Sequence, residues 1–351
     1  MDVEEYKNRN IRSIKYFMNK FDLICRYSND IRKKIYIEDS IFEKKVCRFC
    51  GKDDTEVSFK KKAHAIPELL GNKSIVLINE CDNCNKFFGH ELEDQLGKYL
   101  APFRTISHIF GKNGVPSYKS NDGSLRIDWK DNIAYVQALE GHNAVQFDED
   151  NNCIIIEFQR DAYIPIDVYR CFVEMSLAVI DTKEYLELIK NAAWVRLDRK
   201  KMDGAKGIKE SLPFVGQYAS VVFETFIPGP YKAEPTIWIF KRKEDSFNVP
   251  KYISVVEFGN YRCQFCIPSE EDYEKKVVLE RFVGSEAMPE NDTFIRNYGI
   301  PVTRIVDLSG NELRKNDKVS ISLKFDYAEE KGIDEFESIG LKPLEIKCIR
   351  Q

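Results

Sequence analysis

The sequence contains no long hydrophobic run. The longest candidate, CFVEMSLAVI at residues 171–180, has ten residues and includes Glu174, whereas a membrane-spanning helix needs about 20 apolar residues. The first ten residues, MDVEEYKNRN, lack the basic-then-apolar pattern of a secretory signal. Ten cysteines in 351 residues are too few for a disulfide scaffold. We therefore expect a cytoplasmic protein with reduced thiols and no membrane contact.

Motifs for nucleotide cofactors are also missing. The chain has no P-loop and no GxGxxG sequence, and it shows neither an internal repeat nor a low-complexity segment. Hydrophobic residues make up 43% and charged residues 31% of the chain, which is ordinary for a globular protein. A length of 351 residues predicts two domains, or three small ones.

The net charge of −4 conceals an asymmetry along the chain. Residues 1–40 hold 9 Lys and Arg against 7 Asp and Glu, and residues 41–120 hold 13 against 10. Residues 121–351 hold 31 against 40. A contact with a polyanion is therefore predicted in the first third of the chain.

The sequence pattern divides the chain into three regions. Residues 1–40 are predicted to be a helical segment, because apolar residues recur at spacings of three and four over 5–38. This apolar stripe consists of Ile11, Ile14, Phe17, Met18, Phe21 and Ile24. Residues 41–115 are dense in cysteine, histidine and turn residues, and a Gly- and Ser-rich stretch at 111–124 predicts a boundary.

Residues 125–351 are predicted to form an α+β domain with a mostly antiparallel sheet. Short strand-like runs occur at 132–139, 153–159, 219–227, 236–242, 251–258 and 319–327. One long helical stretch, residues 166–193, interrupts them. The pattern leaves the role of this domain open between recognition, regulation by a protein or a small-molecule signal, and oligomerisation. A homodimer organised by this domain or by the N-terminal helix is expected.

Two CxxC pairs predict a metal site. Cys47 and Cys50 form the first pair, Cys81 and Cys84 form the second, and 30 residues separate them. Two such pairs can present four thiolates to one tetrahedral ion, and a reducing compartment favours structural zinc over disulfides. The remaining CxxC pair, residues 263–266, has no partner pair nearby. Residues three apart on a strand face opposite sides, so packing is the expected role there.

The segment between the two pairs contains His64, within the sequence Lys62-Ala63-His64-Ala65-Ile66-Pro67, and Asn85 directly follows the fourth cysteine. On these residues, region 46–100 resembles the HNH, or His-Me finger, endonucleases, in the version whose ββα-metal motif is held by two CxxC knuckles. The resemblance implies strands at about 55–60 and 75–79 and a helix that begins near Cys84. Phe88, Leu92, Leu96 and Tyr99 keep helical spacing along that helix.

The resemblance also implies a chemistry. Phosphodiester hydrolysis needs an activated water and a divalent ion. His64 would be the general base and Asn85 a ligand of a catalytic Mg²⁺ or Mn²⁺ ion, with DNA as the partner. Lys60, Lys61 and Lys62 are candidates for phosphate contacts, although a charge run is also typical of a solvated surface.

The sequence departs from the family at the residue before the base. The family usually has an acidic residue or histidine there, which binds the catalytic ion, and this chain has Ala63. Candidates for the missing ligand are Glu68, Glu80 and His90, the last only if Gly89 breaks the helix. Three functions remain open: a DNA endonuclease of antiphage or mobile-element biology, a catalytically inactive zinc module that binds nucleic acid or protein, and a ribonuclease toxin with the same finger.

Overall fold

Strands outnumber helices in the computed structural model, which describes residues 3–38, 44–130, 133–139, 144–148, 153–198, 220–229, 233–272, 277–279, 281–282, 298–324, 330–331 and 343–349. The helices are α1 (Val3–Lys20), α2 (Asp82–Phe88), α3 (Asp94–Ile106), α4 (Pro165–Val179), α5 (Thr182–Glu187) and α6 (Ile189–Val195). The strands are β1 (Phe21–Ser28), β2 (Ile35–Ile37), β3 (Ala63–His64), β4 (Ile75–Leu77), β5 (Tyr118–Lys119), β6 (Leu125–Lys130), β7 (Ile133–Leu139), β8 (Val145–Asp148), β9 (Cys153–Gln159), β10 (Val221–Phe226), β11 (Ala233–Arg242), β12 (Tyr252–Gly259), β13 (Tyr261–Ile267), β14 (Val302–Asp307), β15 (Lys318–Lys324), β16 (Glu330–Lys331) and β17 (Pro343–Ile349).

The described strands form four sheets. The largest has the order β1-β11-β12-β13-β10-β14 and is antiparallel throughout. Two further antiparallel sheets have the orders β15-β9-β8 and β16-β17-β7-β6-β5. The predicted α+β class with mostly antiparallel sheet is confirmed, and every strand-like run named above overlaps an observed strand.

Helix α4 runs through the core. All of its residues are buried, as expected for a helix that is apolar around most of its circumference. The predicted continuous helix over 166–193 is wrong, because the chain becomes extended at Ile180. Asp181 then caps α5 by accepting hydrogen bonds from the backbone N–H groups of Lys183 and Glu184. None of the described helices has the length and hydropathy that a membrane span requires.

The N-terminal segment is helical only to Lys20. Phe21 continues directly into β1, which pairs with β11, so the helical prediction for residues 21–38 is wrong. Phe17 and Phe21 are fully buried and stack on each other at 4.6 Å between ring centroids, whereas Ile11 is half exposed. Pairing with a distant strand has prevailed over the local helical spacing.

The finger predicted between residues 46 and 100 has two short strands and a long helix. β3 pairs antiparallel with β4, and β2 adds parallel to β4 on the other side. The predicted strand at 55–60 is absent. The N–H of Lys61 and the hydroxyl of Ser58 bond instead to the Asp82 carboxylate, which holds this segment as a loop over the start of α2.

The finger helix runs from Asp82 to Ile106 and contains one wide turn. Residues Gly89–Glu93 are π-helical, between α2 and α3. The four predicted core residues of this helix, Phe88, Leu92, Leu96 and Tyr99, are all buried. They belong to the same apolar cluster as α4, so the finger and the larger region share one core.

Candidate functional site and metal centre

The four knuckle cysteines converge at one point. Their sulfur atoms all lie within 4.8 Å of one another. The Sγ atoms of Cys47 and Cys84 are 3.7 Å apart, as are those of Cys50 and Cys81. A tetrahedral ion with Zn–S bonds of about 2.3 Å requires sulfur–sulfur distances of about 3.8 Å. The donor set therefore fits a zinc ion and is too widely spaced for disulfides.

The first knuckle turns at Gly51. Its φ is +70°, a left-handed conformation that glycine adopts without strain. The N–H of Gly51 bonds to the carbonyl of Cys47 at 2.8 Å, which closes the turn. By contrast, Cys263 and Cys266 are buried in β13, away from the four-cysteine cluster, in agreement with the expected packing role.

His64 lies at the end of β3, opposite Val76 of β4. Its imidazole is largely buried, and its Nδ1 atom has no hydrogen-bond partner in the described part of the chain. Its Nε2 atom is 3.9 Å from Oε1 of Glu68. Burial lowers the pKa of His64, and the charges of nearby lysines lower it further against the opposing effect of Glu68. The imidazole is therefore neutral at neutral pH.

Three lysines place positive charge around His64. Lys34, Lys62 and Lys73 each lower its pKa through their charge. Lys73 is anchored, because its ammonium lies 3.4 Å from Glu68 and donates to the carbonyl of Gly111 at 3.2 Å. Lys34 and Lys73 were missed in the sequence, since neither belongs to the motif and Lys34 lies 30 residues before the histidine.

Glu93 is a second residue that the motif did not indicate. It ends the π turn, and burial followed by the charge of Glu68 raises its pKa to about 7. The same face of an α-helix recurs about every seven residues, and a π turn inserts one residue more. Asn85 and Glu93, eight residues apart, therefore come onto one face of the finger helix.

Two further carboxylates are buried beside Glu93. Glu80 and Glu174 are each 4% exposed. Burial raises the pKa of both well above the usual value, and the charge of Glu93 raises it further in each case. Glu174 belongs to α4, so it reaches this cluster from outside the finger. Neither carboxylate has an ion pair with a described cationic side chain.

The remaining predicted residues are placed as follows. Asn85 is partly exposed in α2, and His90 is exposed in the π turn, where Gly89 keeps right-handed helical dihedral angles and does not break the helix. No described contact joins His90 to His64. The three lysines of the charge run, Lys60, Lys61 and Lys62, are exposed.

The residue before the histidine is buried. Ala63 is 1% exposed and pairs with Leu77. It offers no side-chain donor, so any divalent ion beside His64 would need its ligands from other elements. Two carboxylates are near His64. That of Glu68 lies 3.9 Å from the imidazole, and that of Glu93 is close enough to Glu68 for the charge of Glu68 to raise its pKa.

The fold and the site together define a ββα finger that is held by a four-cysteine metal site. Residues 47–101 match the sequence model of a family described as HNH endonuclease. The match confirms the resemblance over the finger, and at family level it indicates a nuclease-type hydrolase domain with a cysteine metal site. No curated protein and no solved structure matches the chain.

Proposed function

We propose that this protein is a metal-dependent endonuclease that hydrolyses phosphodiester bonds of DNA, with His64 as the general base. The observation that carries the proposal is the state of the imidazole. Its Nδ1 atom has no partner among the described residues, and burial keeps the ring neutral. A neutral imidazole with an unengaged nitrogen can take a proton from an attacking water.

The catalytic ion would be Mg²⁺ or Mn²⁺, held by Glu68, Glu93 and Asn85. Carboxylate and amide oxygens are the donors that these hard cations prefer. Glu68 and Glu93 are close enough for the charge of Glu68 to add to the effect of burial in raising the pKa of Glu93. When bound, the ion would stabilise charge on the phosphate and the leaving oxygen. A structural zinc ion at the four cysteines would hold the finger in shape.

The lysines would bind the phosphate backbone. Lys34, Lys62 and Lys73 surround His64 with positive charge, and Lys60 and Lys61 extend this charge along the exposed loop. Such contacts are electrostatic and independent of base sequence, so binding should weaken steeply with salt. The larger α+β region would then supply recognition of a signal, a partner or a DNA feature.

The absence of a donor at Ala63 supports a second candidate, a zinc module that binds nucleic acid without cutting it. Supercoiled plasmid incubated with Mg²⁺ or Mn²⁺, with and without EDTA, separates the two. We expect nicked plasmid only when the metal is available, and none from a His64→Ala variant that retains its zinc and its DNA binding. Cleavage by His64→Ala at the wild-type rate would end the assignment of His64. A parallel reaction with structured RNA tests the ribonuclease alternative.

We also propose that the protein acts as a homodimer in bacterial defence or mobile-element biology. One ββα-metal site attacks one strand, so a double-strand cut needs two sites or two visits. The finger alone is too small for a standard interface, which buries about 800 Å² per partner. The larger region or α1 would therefore organise the dimer. A monomeric mass by light scattering, with and without DNA, would exclude it.

A further inference from the structure

A cavity of about 470 Å³ lies between β14 and the sheet that contains β9 and β15, and none of the knuckle cysteines lines it. This volume falls within the range of small-molecule sites. Apolar and aromatic side chains form most of its wall, among them Ile155, Phe226, Tyr298 and Ile300. Such a lining favours a ligand with a flat apolar body.

Arg304 supplies the positive charge of this cavity. It belongs to β14, lines the cavity and has a side chain that is 34% exposed. Ser320 and Ser322, on one face of β15, add two hydroxyl groups to the wall. Asp148 also lines the cavity. One cation beside one carboxylate suits a ligand with a single negative charge better than a multiply charged phosphate.

The same arginine is connected to the interior. Its Nη2 atom is 3.9 Å from Oε2 of Glu224, its cross-strand partner on β10. Glu224 is 1% exposed and accepts a hydrogen bond from the hydroxyl of Tyr99. Arg160 completes the group: its Nη2 lies 3.4 Å from the same Glu224 oxygen and its guanidinium lies 3.9 Å from the centre of the Tyr99 ring.

This network ends on the finger helix. Tyr99 belongs to α3, as does Phe103, whose ring centre lies 5.5 Å from the Arg304 guanidinium. α3 follows the π turn that carries Glu93. Arg304 in the cavity wall therefore reaches the finger helix in two ways, directly at Phe103 and through the buried carboxylate of Glu224 at Tyr99.

We propose that the cavity binds a small organic anion with a flat apolar body, and that this binding alters the packing of α3 through Arg304 and Glu224. An anion in the cavity competes with Glu224 for the Arg304 guanidinium. The remaining partners of the Glu224 carboxylate are then Arg160 and the hydroxyl of Tyr99, a residue of α3. The ligand shifts the equilibrium between two packings of α3 only to the extent that it binds one packing more tightly than the other. Its effect on cleavage rests on the proposed nuclease function, but its binding and its effect on α3 do not.

The probe is 8-anilinonaphthalene-1-sulfonate, which has an aromatic body and one negative charge and becomes fluorescent on apolar surfaces. We expect saturable binding of one probe per chain. Arg304→Gln should weaken it by at least about tenfold, equivalent to about 1.4 kcal/mol. Lys318→Gln is the matched control, because Lys318 is an exposed cation on β15 that does not line the cavity. It should change the affinity by less than about twofold.

Val302→Trp provides an independent variant. Val302 lines the cavity and is 60% exposed, so a larger side chain should fill the space without disturbing the core. It should block the probe while the circular dichroism spectrum stays unchanged. Probe binding that is not saturable, or that survives in both Arg304→Gln and Val302→Trp, would overturn the proposed site.

Hydrogen exchange tests the connection to the finger. Saturating probe should change the exchange of the α3 amides in the wild type and leave it unchanged in Arg304→Gln. Arg304-dependent binding without any change in α3 would overturn the coupling. Neither measurement requires cleavage, so a protein that binds the probe but cuts no plasmid would contradict the proposed nuclease and not this site.

Discussion

The guanidinium of Arg48 donates a hydrogen bond to the carbonyl oxygen of Leu177 at 2.8 Å. The same Nη1 atom lies 3.0 Å from the carbonyl oxygens of Ala178 and Ile180. Arg48 stands between the cysteines of the first knuckle, and the three carbonyls are at the end of α4. A cation at a helix C-terminus meets both the unpaired carbonyls and the negative end of the helix dipole. This residue fastens the finger to the core helix.

The first prediction concerns this attachment. Arg48→Ala should lower the free energy of unfolding by about 2–4 kcal/mol, because it leaves buried carbonyls without a donor. Lys52→Ala is the control, since Lys52 is an exposed cation in the same knuckle and pairs with the exposed Glu56. It should stay within about 0.5 kcal/mol. Urea denaturation gives both values, and equal values would show that the attachment contributes nothing to stability.

The second prediction concerns zinc. One zinc ion per chain should co-purify, and Cys84→Ser should abolish it and unfold residues 46–100, because metal binding supplies folding energy to so small a unit. Cys266→Ser is the control, because Cys266 is also buried but lies outside the cluster. It should keep its zinc even if its stability falls. Elemental analysis that finds less than about half an equivalent of zinc in fresh wild-type protein would contradict the assignment.

The third prediction concerns the pH profile of cleavage. The base must be neutral, so activity should be full above the pKa of His64 and fall as the pH drops below it. Burial lowers that pKa from its usual value, which places the acid limb below about pH 6.5. The charge of Lys73 contributes to the lowering, so Lys73→Gln should move the limb to higher pH.

Lys98→Gln is the control for that measurement. Lys98 is an α3 lysine whose ammonium pairs with Asp94 at 2.7 Å, and it is not one of the three lysines that lower the pKa of His64. Its acid limb should coincide with that of the wild type. An acid limb that moves to lower pH in Lys73→Gln would show that the charge of Lys73 does not lower the pKa of His64.

The fourth prediction compares three neighbours on the finger helix. Glu93→Gln should raise the Mg²⁺ or Mn²⁺ concentration needed for half-maximal cleavage, because it removes a proposed carboxylate ligand of that ion. Glu91→Gln and His90→Ala should cleave at nearly the wild-type rate, because both residues are exposed. The metal dependence of plasmid nicking measures all three. Loss of cleavage in His90→Ala with full activity in Glu93→Gln would reverse the assignment.

The fifth prediction concerns the buried carboxyl of Glu174. Its folded pKa is raised by burial, with Glu80 and Glu93 facing it, so it favours folding when protonated and opposes folding as the pH rises above the unfolded value of about 4.5. Glu174→Gln should therefore raise the melting temperature at pH 8, by roughly 2–4 °C, and much less at pH 5. Exposed Glu91→Gln should show no such difference. If Glu174→Gln melted at a lower temperature than the wild type at pH 8, a further group would have to stabilise the charged carboxylate of Glu174.

The metal centre could be predicted from the sequence because its information is local. Cys47 and Cys50 are three residues apart, as are Cys81 and Cys84, and such spacings suffice to form each half of the site. The strand at 153–159 has the bounds predicted for it, since a short run rich in β-branched isoleucine favours a strand through its own composition. His64 stood out for the same reason, within a short motif between the two pairs.

Residues 21–28 could not be predicted in this way. Their apolar spacing favours a helix, yet they form β1, because β11 offers backbone partners from more than 200 positions away. Local spacing carries no record of such a partner, and pairing with β11 satisfies the backbone groups along one side of β1, which lies at the edge of its sheet.

The sequence by itself determined the four-cysteine centre, the base candidate and the fold class, all of which depend on residues close together in the chain. Tertiary structure decided which carboxylates lie near the candidate site. Glu93 shares a face with Asn85 only because the helix widens into a π turn, and Glu174 arrives on α4 from outside the finger. Both placements depend on packing against one shared core, and packing between distant segments leaves no periodic trace in the sequence.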